Sequence, residues 1–158
     1  MYLVRGQPVV YYGDEQGCAA ELGEPQGVGD QRAREDMFPS QVAEYNDNDL
    51  IGTDATTADS NYDPNHPLYQ HLAALSDLRD EHPALADGAQ IHRYASSGAG
   101  VFAVSRIDVR DKIEYLVAAN NAETAKTVVL PTFSDRMVFK GVWPAGTQQV
   151  KTDDEGRV

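Results

Sequence analysis

Acidic side chains and an arginine in the first third of the chain are the groups best suited to chemistry. Asp14 and Glu15 follow the apolar run Val9–Tyr12 after Gly13, which places two carboxylates just past the end of a predicted strand. Carboxylates in that position can orient a neighbouring reactive group, or they can bind the backbone of their own loop. Arg34 adds a planar guanidinium, which binds hydroxyl groups or a carboxylate in a forked geometry.

Three further patterns are weaker candidates. Asp47, Asn48 and Asp49 with Gly52 cluster the hard oxygen atoms that calcium prefers, but their spacing does not fit an EF-hand loop, so a solvated acidic loop is favoured. The four histidines lack ligand spacing, and we predict no metal site in this chain. Cys18 is the single cysteine, which excludes an internal disulfide and a cysteine-only zinc site, and its acidic neighbours disfavour the thiolate.

A strand and a long loop must position these groups. Pro8 and Gly13 flank Val9–Tyr12, and this pattern predicts a short buried strand with proline at its start. Residues 13–64 then hold six glycines, three prolines and thirteen acids with little periodicity. A connection of that length is either disordered or a functional loop held in place by other parts of the protein.

A helix is predicted after the loop. Asn65 or His66 can cap its start, and Pro67 suits the first helical position. Pro83 ends the helix after His82. Its apolar stripe consists of leucines at spacings typical of one helical face: Leu68, Leu72, Leu75 and Leu78.

From residue 89 onward the pattern changes to strands. Apolar segments are separated by turn residues at spacings that favour an antiparallel β-sandwich. The predicted strands are Gln90–Ala95, Gly100–Ile107, Ile113–Asn120, Thr127–Pro131 and Met137–Trp143. The second and third of these are apolar on both faces, so each needs a covering layer on either side.

Charge also divides the chain near Gly88. The formal net charge is −12; residues 1–65 carry thirteen acids against three bases, whereas residues 89–158 carry eight acids against nine bases. We interpret the change as a domain boundary, with an uneven surface on one domain as the alternative.

The acidic balance argues against a nucleic-acid binder, and the chain lacks the run of about 18 apolar residues that would predict a membrane-spanning helix.

Three segments, in this order, resemble motifs of one enzyme family. Arg5–Glu15 resembles the block at the eighth barrel strand of the α-amylase family, glycoside hydrolase family 13, with the pattern G-x-P-x-apolar-x-Y-G-x-E. Asp30–Phe38 is similar to the loop motif A-R-x-x-M-aromatic. His66–Tyr69 and Leu75–Leu85 are similar to the last barrel helix and its exit, L-x-x-L-R-x-x-H-P-A-L.

The resemblance implies an α+β fragment. Residues 1–88 would be the last βα unit of a (β/α)8 TIM barrel, and residues 89–158 the β-sandwich called domain C, which we expect to be truncated at its C-terminus. It implies a retaining glycosidase that acts on α-glucosidic bonds of starch-like glucans or maltooligosaccharides, with two carboxylates about 5–5.5 Å apart.

The family carries its catalytic carboxylates on the fourth, fifth and seventh strands, and no acid of this chain matches those motifs. The chain alone is therefore expected to be inactive and structural; the alternative is a non-catalytic carbohydrate-binding β-sandwich.

The resemblance also assigns a rim of the active site. Tyr12, Asp14, Glu15 and Arg34 would lie on that rim or against the substrate. Three alternatives stay open: Tyr12 packs inside the barrel, the two carboxylates bind the backbone of their loop, and Arg34 forms a salt bridge.

The implied partners are an α-glucan and the rest of the barrel, with no nucleic acid and no membrane. No cofactor is expected in this chain, any calcium belongs to the parent enzyme, and the parent enzyme is expected to be secreted.

Overall fold

The computed structural model describes residues 1–19, 34–43, 46–144, 146 and 148–158. They form two compact units, which we name the loop unit (Pro8–Leu78) and the sheet unit (Met1–Gln7 with Arg79–Val158). The domain boundary expected near Gly88 stays a prediction.

The described part of the chain combines helices with antiparallel sheets, which confirms the predicted α+β class at that level. A 3-10 turn at Asp14–Gln16 comes first. The other elements in chain order are helices α1 (Pro67–Glu81) and α2 (Pro83–Asp87) and strands β1 (Ala89–Ala95), β2 (Val101–Asp108), β3 (Ile113–Asn120), β4 (Val138–Lys140) and β5 (Gln149–Lys151).

Helix α1 begins and ends where the sequence predicts. His66 caps it, because its Nδ1 accepts a hydrogen bond from the N–H of Leu68 at 3.2 Å, and the helix ends one residue before His82. Of the leucine stripe, Leu78 is buried and the other three members are half-buried. The stripe therefore has a partial cover in the described residues.

The buried strand predicted at Val9–Tyr12 is not formed. No segment among the described residues pairs with this backbone in a ladder, and Val9 is 72% exposed. A strand forms only where a neighbouring strand exchanges backbone hydrogen bonds with it. Apolar, β-branched side chains favour a strand but do not provide that neighbouring strand. The sequence pattern here predicts the residue types of a strand, but the strand prediction is wrong for this structure.

The first three strands of the sheet unit form one antiparallel sheet in the order β1-β2-β3. Their bounds agree with the predictions to within one residue. The predicted strand Thr127–Pro131 is wrong: it contributes a single bridge, from Pro131 to Arg157, where the N–H groups of Leu130 and Thr132 donate to the carbonyls of Val158 and Gly156. The predicted strand Met137–Trp143 is confirmed only in its centre, as β4, which pairs with β5.

Both faces of β2 are covered over most of the strand, as its two-sided apolar pattern predicts, but Phe102 is exposed. On one face Val101 and Ala103 are buried together with Leu130. Half-buried side chains complete this small core: Tyr94, Leu116, Val128 and Val158.

The opposite face of β2 binds helix α2. Arg106 is fully buried, and it donates from Nε to the carbonyl of Ala84 at 3.0 Å and from Nη2 to the carbonyls of Leu85 and Ala86 at 3.3 Å each. Helix α2 has five residues, so most of its carbonyls lack a partner inside the helix. The guanidinium supplies donors to them. Burial lowers the pKa of Arg106, and the charges of nearby arginines lower it further.

A second arginine fixes the first residues of the chain onto the sheet unit. Arg79 donates from Nη1 to the carbonyl of Tyr2 at 2.7 Å and from Nη2 to the carbonyl of Gly6 at 2.9 Å. The N–H of Arg5 donates to Gln90 Oε1 at 2.6 Å. These bonds join Met1–Gln7 to the rest of the sheet unit.

A buried ion pair crosses the sheet beside a bulge in β1. The bulge lies between His92 and Tyr94 and leaves Arg93 without a register partner on β2. Arg93 donates from Nε to the Oγ of Ser105 at 2.7 Å. Arg93 Nη2 lies 2.8 Å from Glu114 Oε1, and the two side chains are 8% and 4% exposed. The other Glu114 oxygen accepts hydrogen bonds from the backbone N–H of residue 133 at 2.8 Å and the hydroxyl of residue 134 at 3.1 Å. Both carboxylate oxygens therefore have partners.

Candidate functional site

A tight turn carries the predicted carboxylates. Gly13 has a φ of 91° and Gly17 a φ of 79°, left-handed values that glycine adopts without strain, and they enclose the 3-10 turn Asp14–Gln16. A Cβ atom on Gly17 would collide with the backbone of Ile51, whose N–H donates to the Gly17 carbonyl at 2.9 Å. The turn is thus shaped by glycine and joined to a distant part of the loop unit.

Both carboxylates bind the backbone just before them. Asp14 Oδ2 accepts a hydrogen bond from the N–H of Tyr11 at 2.9 Å, and Glu15 Oε2 accepts one from the N–H of Gly13 at 3.1 Å. This geometry fits the loop-bonding alternative. Asp14 is exposed and Glu15 is half-buried, and a carboxylate can accept more than one hydrogen bond, so a ligand could still bind either group.

Tyr11 and Tyr12 form an aromatic pair beside this turn. Their ring centroids are 4.5 Å apart, with an angle of 37° between the planes, and about half of each residue is exposed. A hydrogen bond with Tyr11 raises the pKa of Tyr12 above its ordinary value of 10.0. The phenol of Tyr12 therefore stays protonated at neutral pH and can act as a hydrogen-bond donor.

Arg34 acts electrostatically on Tyr12 of this pair. Its charge lowers the pKa of Tyr12, whereas the charge of Asp36 raises it, so both charged groups lie within electrostatic range of that phenol. Arg34 is exposed and Asp36 is half-buried. The structure therefore brings the four residues predicted from the sequence, Tyr12, Asp14, Glu15 and Arg34, into one region of the loop unit.

The loop unit also contains a buried polar cluster, of which the sequence analysis named only Asn48, as part of an acidic loop. Asn48 Nδ2 donates to Glu35 Oε1 at 2.6 Å. The backbone N–H of Asn48 donates to Thr57 Oγ1 at 3.1 Å. All three residues are buried, so the expected solvated acidic loop is correct for the exposed Asp47 and Asp49 but wrong for Asn48. No periodicity could have revealed this cluster, because its members come from separate parts of an irregular loop.

Gln16 joins the two ends of the loop unit. Its side-chain amide donates to the carbonyl of Asp63 at 3.0 Å and accepts from the N–H of Asp63 at 3.0 Å. This pair of bonds spans 47 residues of sequence. It holds the 3-10 turn close to the residue where the approach to helix α1 begins.

Cys18, the residue after Gly17, is a protonated thiol. Burial raises the pKa of Cys18 to about 11, and the negative charges of Glu35 and Glu15 contribute in the same direction. A thiol with that pKa is almost entirely protonated at neutral pH and is a poor nucleophile. The site therefore offers no cysteine chemistry.

Two absences apply to the described residues only. They contain no group of three histidine, cysteine or acidic side chains that could hold a metal ion. They also contain no helix that is long and apolar enough to cross a membrane.

Known proteins resemble this chain over most of its length. A protein named alpha-amylase from Streptomyces lividans is 48% identical over 143 residues, which make up 90% of this chain. A protein named beta/alpha-amylase from Paenibacillus polymyxa is 28% identical over 131 residues, or 83% of the chain. No family model and no solved structure matches. The predicted resemblance to an α-amylase-like enzyme is confirmed. The chain spans 15% of the length of the first relative and 8% of the second.

Proposed function

We propose that this chain is the C-terminal part of an α-amylase-type enzyme of glycoside hydrolase family 13. The whole enzyme would cut α-glucosidic bonds of starch-like glucans or maltooligosaccharides by a retaining mechanism. The observation that carries the proposal is the 48% identity to a protein named alpha-amylase over 90% of the chain. The order of the three family motifs along the sequence supports it.

The open segment before the 3-10 turn supports a place in a larger barrel. Val9–Tyr12 is exposed, and its backbone has no ladder partner among the described residues. A strand inside a parallel barrel is paired on both sides, and the active site lies at the carboxyl ends of the strands. We infer that neighbouring strands of the whole enzyme cover this segment, which would bring Asp14 and Glu15 to the active-site face.

The catalytic acid and nucleophile are proposed to come from other parts of the enzyme. A retaining mechanism needs two carboxylates on opposite sides of the scissile bond, about 5–5.5 Å apart. Asp14 and Glu15 are consecutive residues that bind the backbone of their own turn. We therefore assign them to the active-site rim, with Tyr12 and Arg34, and assign the sheet unit a structural role as part of domain C.

Two properties of the whole enzyme follow from the same proposal. Polymeric glucans do not enter cells, so the enzyme is proposed to be secreted. Any calcium that it binds is proposed to be held by other parts of the whole enzyme.

The test compares the full reading frame that encodes this chain with the 158-residue chain alone. The whole enzyme should release reducing sugar from soluble starch, and proton NMR should detect the α-anomer first, because a retaining enzyme preserves the configuration at the anomeric carbon. The 158-residue chain should release no sugar.

Each other outcome corrects a different part of the proposal. Early appearance of the β-anomer would reject the retaining mechanism, and hydrolysis by the chain alone would show that it contains the catalytic carboxylates. A whole protein that binds starch but does not cut it would support the alternative, a non-catalytic carbohydrate-binding protein.

A further inference from the structure

Helix α1 begins at a buried histidine. His66 is 2% exposed. Its N–H donates to the carbonyl of Asp63 at 3.1 Å, and its carbonyl accepts from the N–H of Gln70 at 3.0 Å. A Cβ atom on Gly52 would lie 3.7 Å from Cε1 of the ring. The imidazole is therefore enclosed between the start of the helix and the segment that contains Gly52.

The hydrogen bonds of the ring decide where its proton lies. Nδ1 of His66 accepts a hydrogen bond from the N–H of Leu68 at 3.2 Å, so Nδ1 carries no proton. In a neutral imidazole the other nitrogen then carries it. Nε2 is buried and has no hydrogen-bond partner among the described residues. A second proton must therefore be taken up at Nδ1, the atom that caps the helix.

A proton on Nδ1 has two unfavourable consequences for the helix. It removes the acceptor of the Leu68 N–H, which is one of the donors that have no partner inside a helix at its first turn. It also places a positive charge at the helix N-terminus, where the helix dipole favours a negative one. Acid should therefore open the first turn of helix α1.

The acids near His66 do not form an ion pair with it. On the helix side, Oδ1 of Asp63 accepts two hydrogen bonds from the residue two positions further on, at 2.9 Å and 3.2 Å. On the other side Gly52 is uncharged, and Asp49 and Asp54 flank it in sequence. No carboxylate in the described part of the chain pairs with the imidazole. A proton on Nδ1 would thus create a buried charge without a counter-charge, which is costly.

Asp63 joins this cap to the turn that carries two of the predicted site residues. The carbonyl of Asp63 accepts hydrogen bonds from the N–H of His66 at 3.1 Å and from the side-chain amide of Gln16 at 3.0 Å. The N–H of Asp63 donates to Gln16 Oε1 at 3.0 Å. Gln16 is the last residue of the 3-10 turn Asp14–Gln16. A change at the start of the helix can therefore reach the turn through one residue.

We propose that His66 is an acid-sensitive switch of the loop unit: uptake of a proton at Nδ1 releases the first turn of helix α1 and, through Asp63, loosens the turn Asp14–Gln16. Histidine is the side chain that ordinarily changes charge close to neutral pH, so the switch acts in a range where carboxylates stay ionised. The inference does not depend on the proposed function. It gives the loop unit a response to acid that is separate from any catalytic group.

The test is amide hydrogen exchange of the 158-residue chain, followed by NMR between about pH 8 and about pH 5. Exchange is expressed as protection factors, which correct for the pH dependence of the exchange reaction itself. Protection of the Leu68 and Asp63 N–H groups should fall by roughly fivefold to tenfold over this range, the effect of losing one helix cap.

Two variants separate the switch from other effects of acid. His66→Asn keeps a capping oxygen that does not titrate, so protection of Leu68 should stay constant over the same range. His71→Asn is the matched control, because His71 is exposed and lies on the same helix. It should keep the pH response of the unmodified chain.

The proposal is overturned if protection of Leu68 is unchanged in the unmodified chain, or if His66→Asn shows the same loss. A loss at Leu68 with constant protection at Asp63 and Gln16 would reject the link to the turn. If His66→Asn does not fold, the unmodified chain still decides. The loss at Leu68 must follow the titration of the His66 ring in the NMR spectra, and a loss that follows the His71 ring instead rejects the switch.

Discussion

The loop unit and the sheet unit are stabilised by different kinds of side chain. Among the described residues, the loop unit buries two apolar side chains, Leu50 and Leu78, but seven polar ones: Gln16, Glu35, Ser40, Asn48, Thr57, Asn61 and His66. The sheet unit buries six apolar and four polar side chains. A long loop without regular structure can therefore be ordered by individual hydrogen bonds, and each of those bonds depends on one residue.

The largest expected effect is in the sheet unit, at its buried ion pair. Glu114→Ala leaves the Arg93 guanidinium buried without its carboxylate, and removing one partner of such a pair costs about 3–5 kcal/mol. Urea unfolding followed by circular dichroism measures the change in the free energy of unfolding. Asp154→Ala is the matched control, because it breaks an exposed pair with Arg136, and such pairs contribute about 0–1 kcal/mol. Equal effects of the two variants would show that the sheet unit does not depend on its buried pair.

A somewhat smaller effect is expected in the loop unit, at Gly17. Gly17→Ala combines a left-handed φ with a collision against the backbone of Ile51, and strain of this kind costs about 1–3 kcal/mol. The loss should be local, with faster hydrogen exchange and proteolysis around residues 13–19 and an unchanged sheet unit. Gly98→Ala is the control, since a Cβ there meets nothing within 4 Å. If Gly17→Ala destabilises the sheet unit equally, the two regions do not unfold separately.

Acid should weaken the sheet unit through Glu114. Burial raises the pKa of Glu114, but hydrogen bonds from Ser105 and the N–H of Phe133, with the charge of Arg93, outweigh it and keep the pKa below the ordinary 4.5. A depressed pKa means that the unfolded chain takes up the proton first. The stabilisation is complete above about pH 4.5 and is lost as the pH falls through the lower, folded-state value.

The variant Glu114→Gln tests this directly. Its free energy of unfolding should change less steeply below pH 4.5 than that of the unmodified chain. An identical slope in both proteins would mean that another carboxylate carries the acid sensitivity.

The smallest expected effect concerns the reactivity of the Cys18 thiol in the loop unit. With a pKa of about 11 for Cys18, roughly one thiol in a thousand is ionised at about pH 8. Iodoacetamide should therefore alkylate Cys18 slowly in the folded chain and rapidly in urea, as followed by mass spectrometry. Equal rates in both conditions would show that neither burial nor the charges of Glu35 and Glu15 protect the thiol.

The sequence predicts the parts of the fold whose pattern is local. Helix α1 follows from its leucine spacing and from proline at each end, and β1–β3 follow from apolar runs between turn residues. These signals lie within a few residues of one another. The bounds therefore agree with the structure closely.

The predictions failed where a partner is required from elsewhere. Val9–Tyr12 has strand-like residues but no neighbouring strand among the described residues, and Thr127–Pro131 forms a bridge only at its last residue, opposite Arg157. The candidate site shows the same contrast. Its carboxylates could be found because they follow an apolar run, whereas the bond between Asn48 and Glu35 joins residues 13 positions apart with no repeating pattern between them.

The buried guanidinium of Arg106 has a consequence for the order of folding. Helix α2 has five residues, and isolated helices of that length are not stable in water. Carbonyls near its end accept hydrogen bonds from a side chain about 20 residues further along the chain, Arg106 on β2. These hydrogen bonds can form only after β2 has packed against the helix. Helix α2 is therefore a late product of sheet formation, and a peptide that ends before β1 should show no helix at these residues.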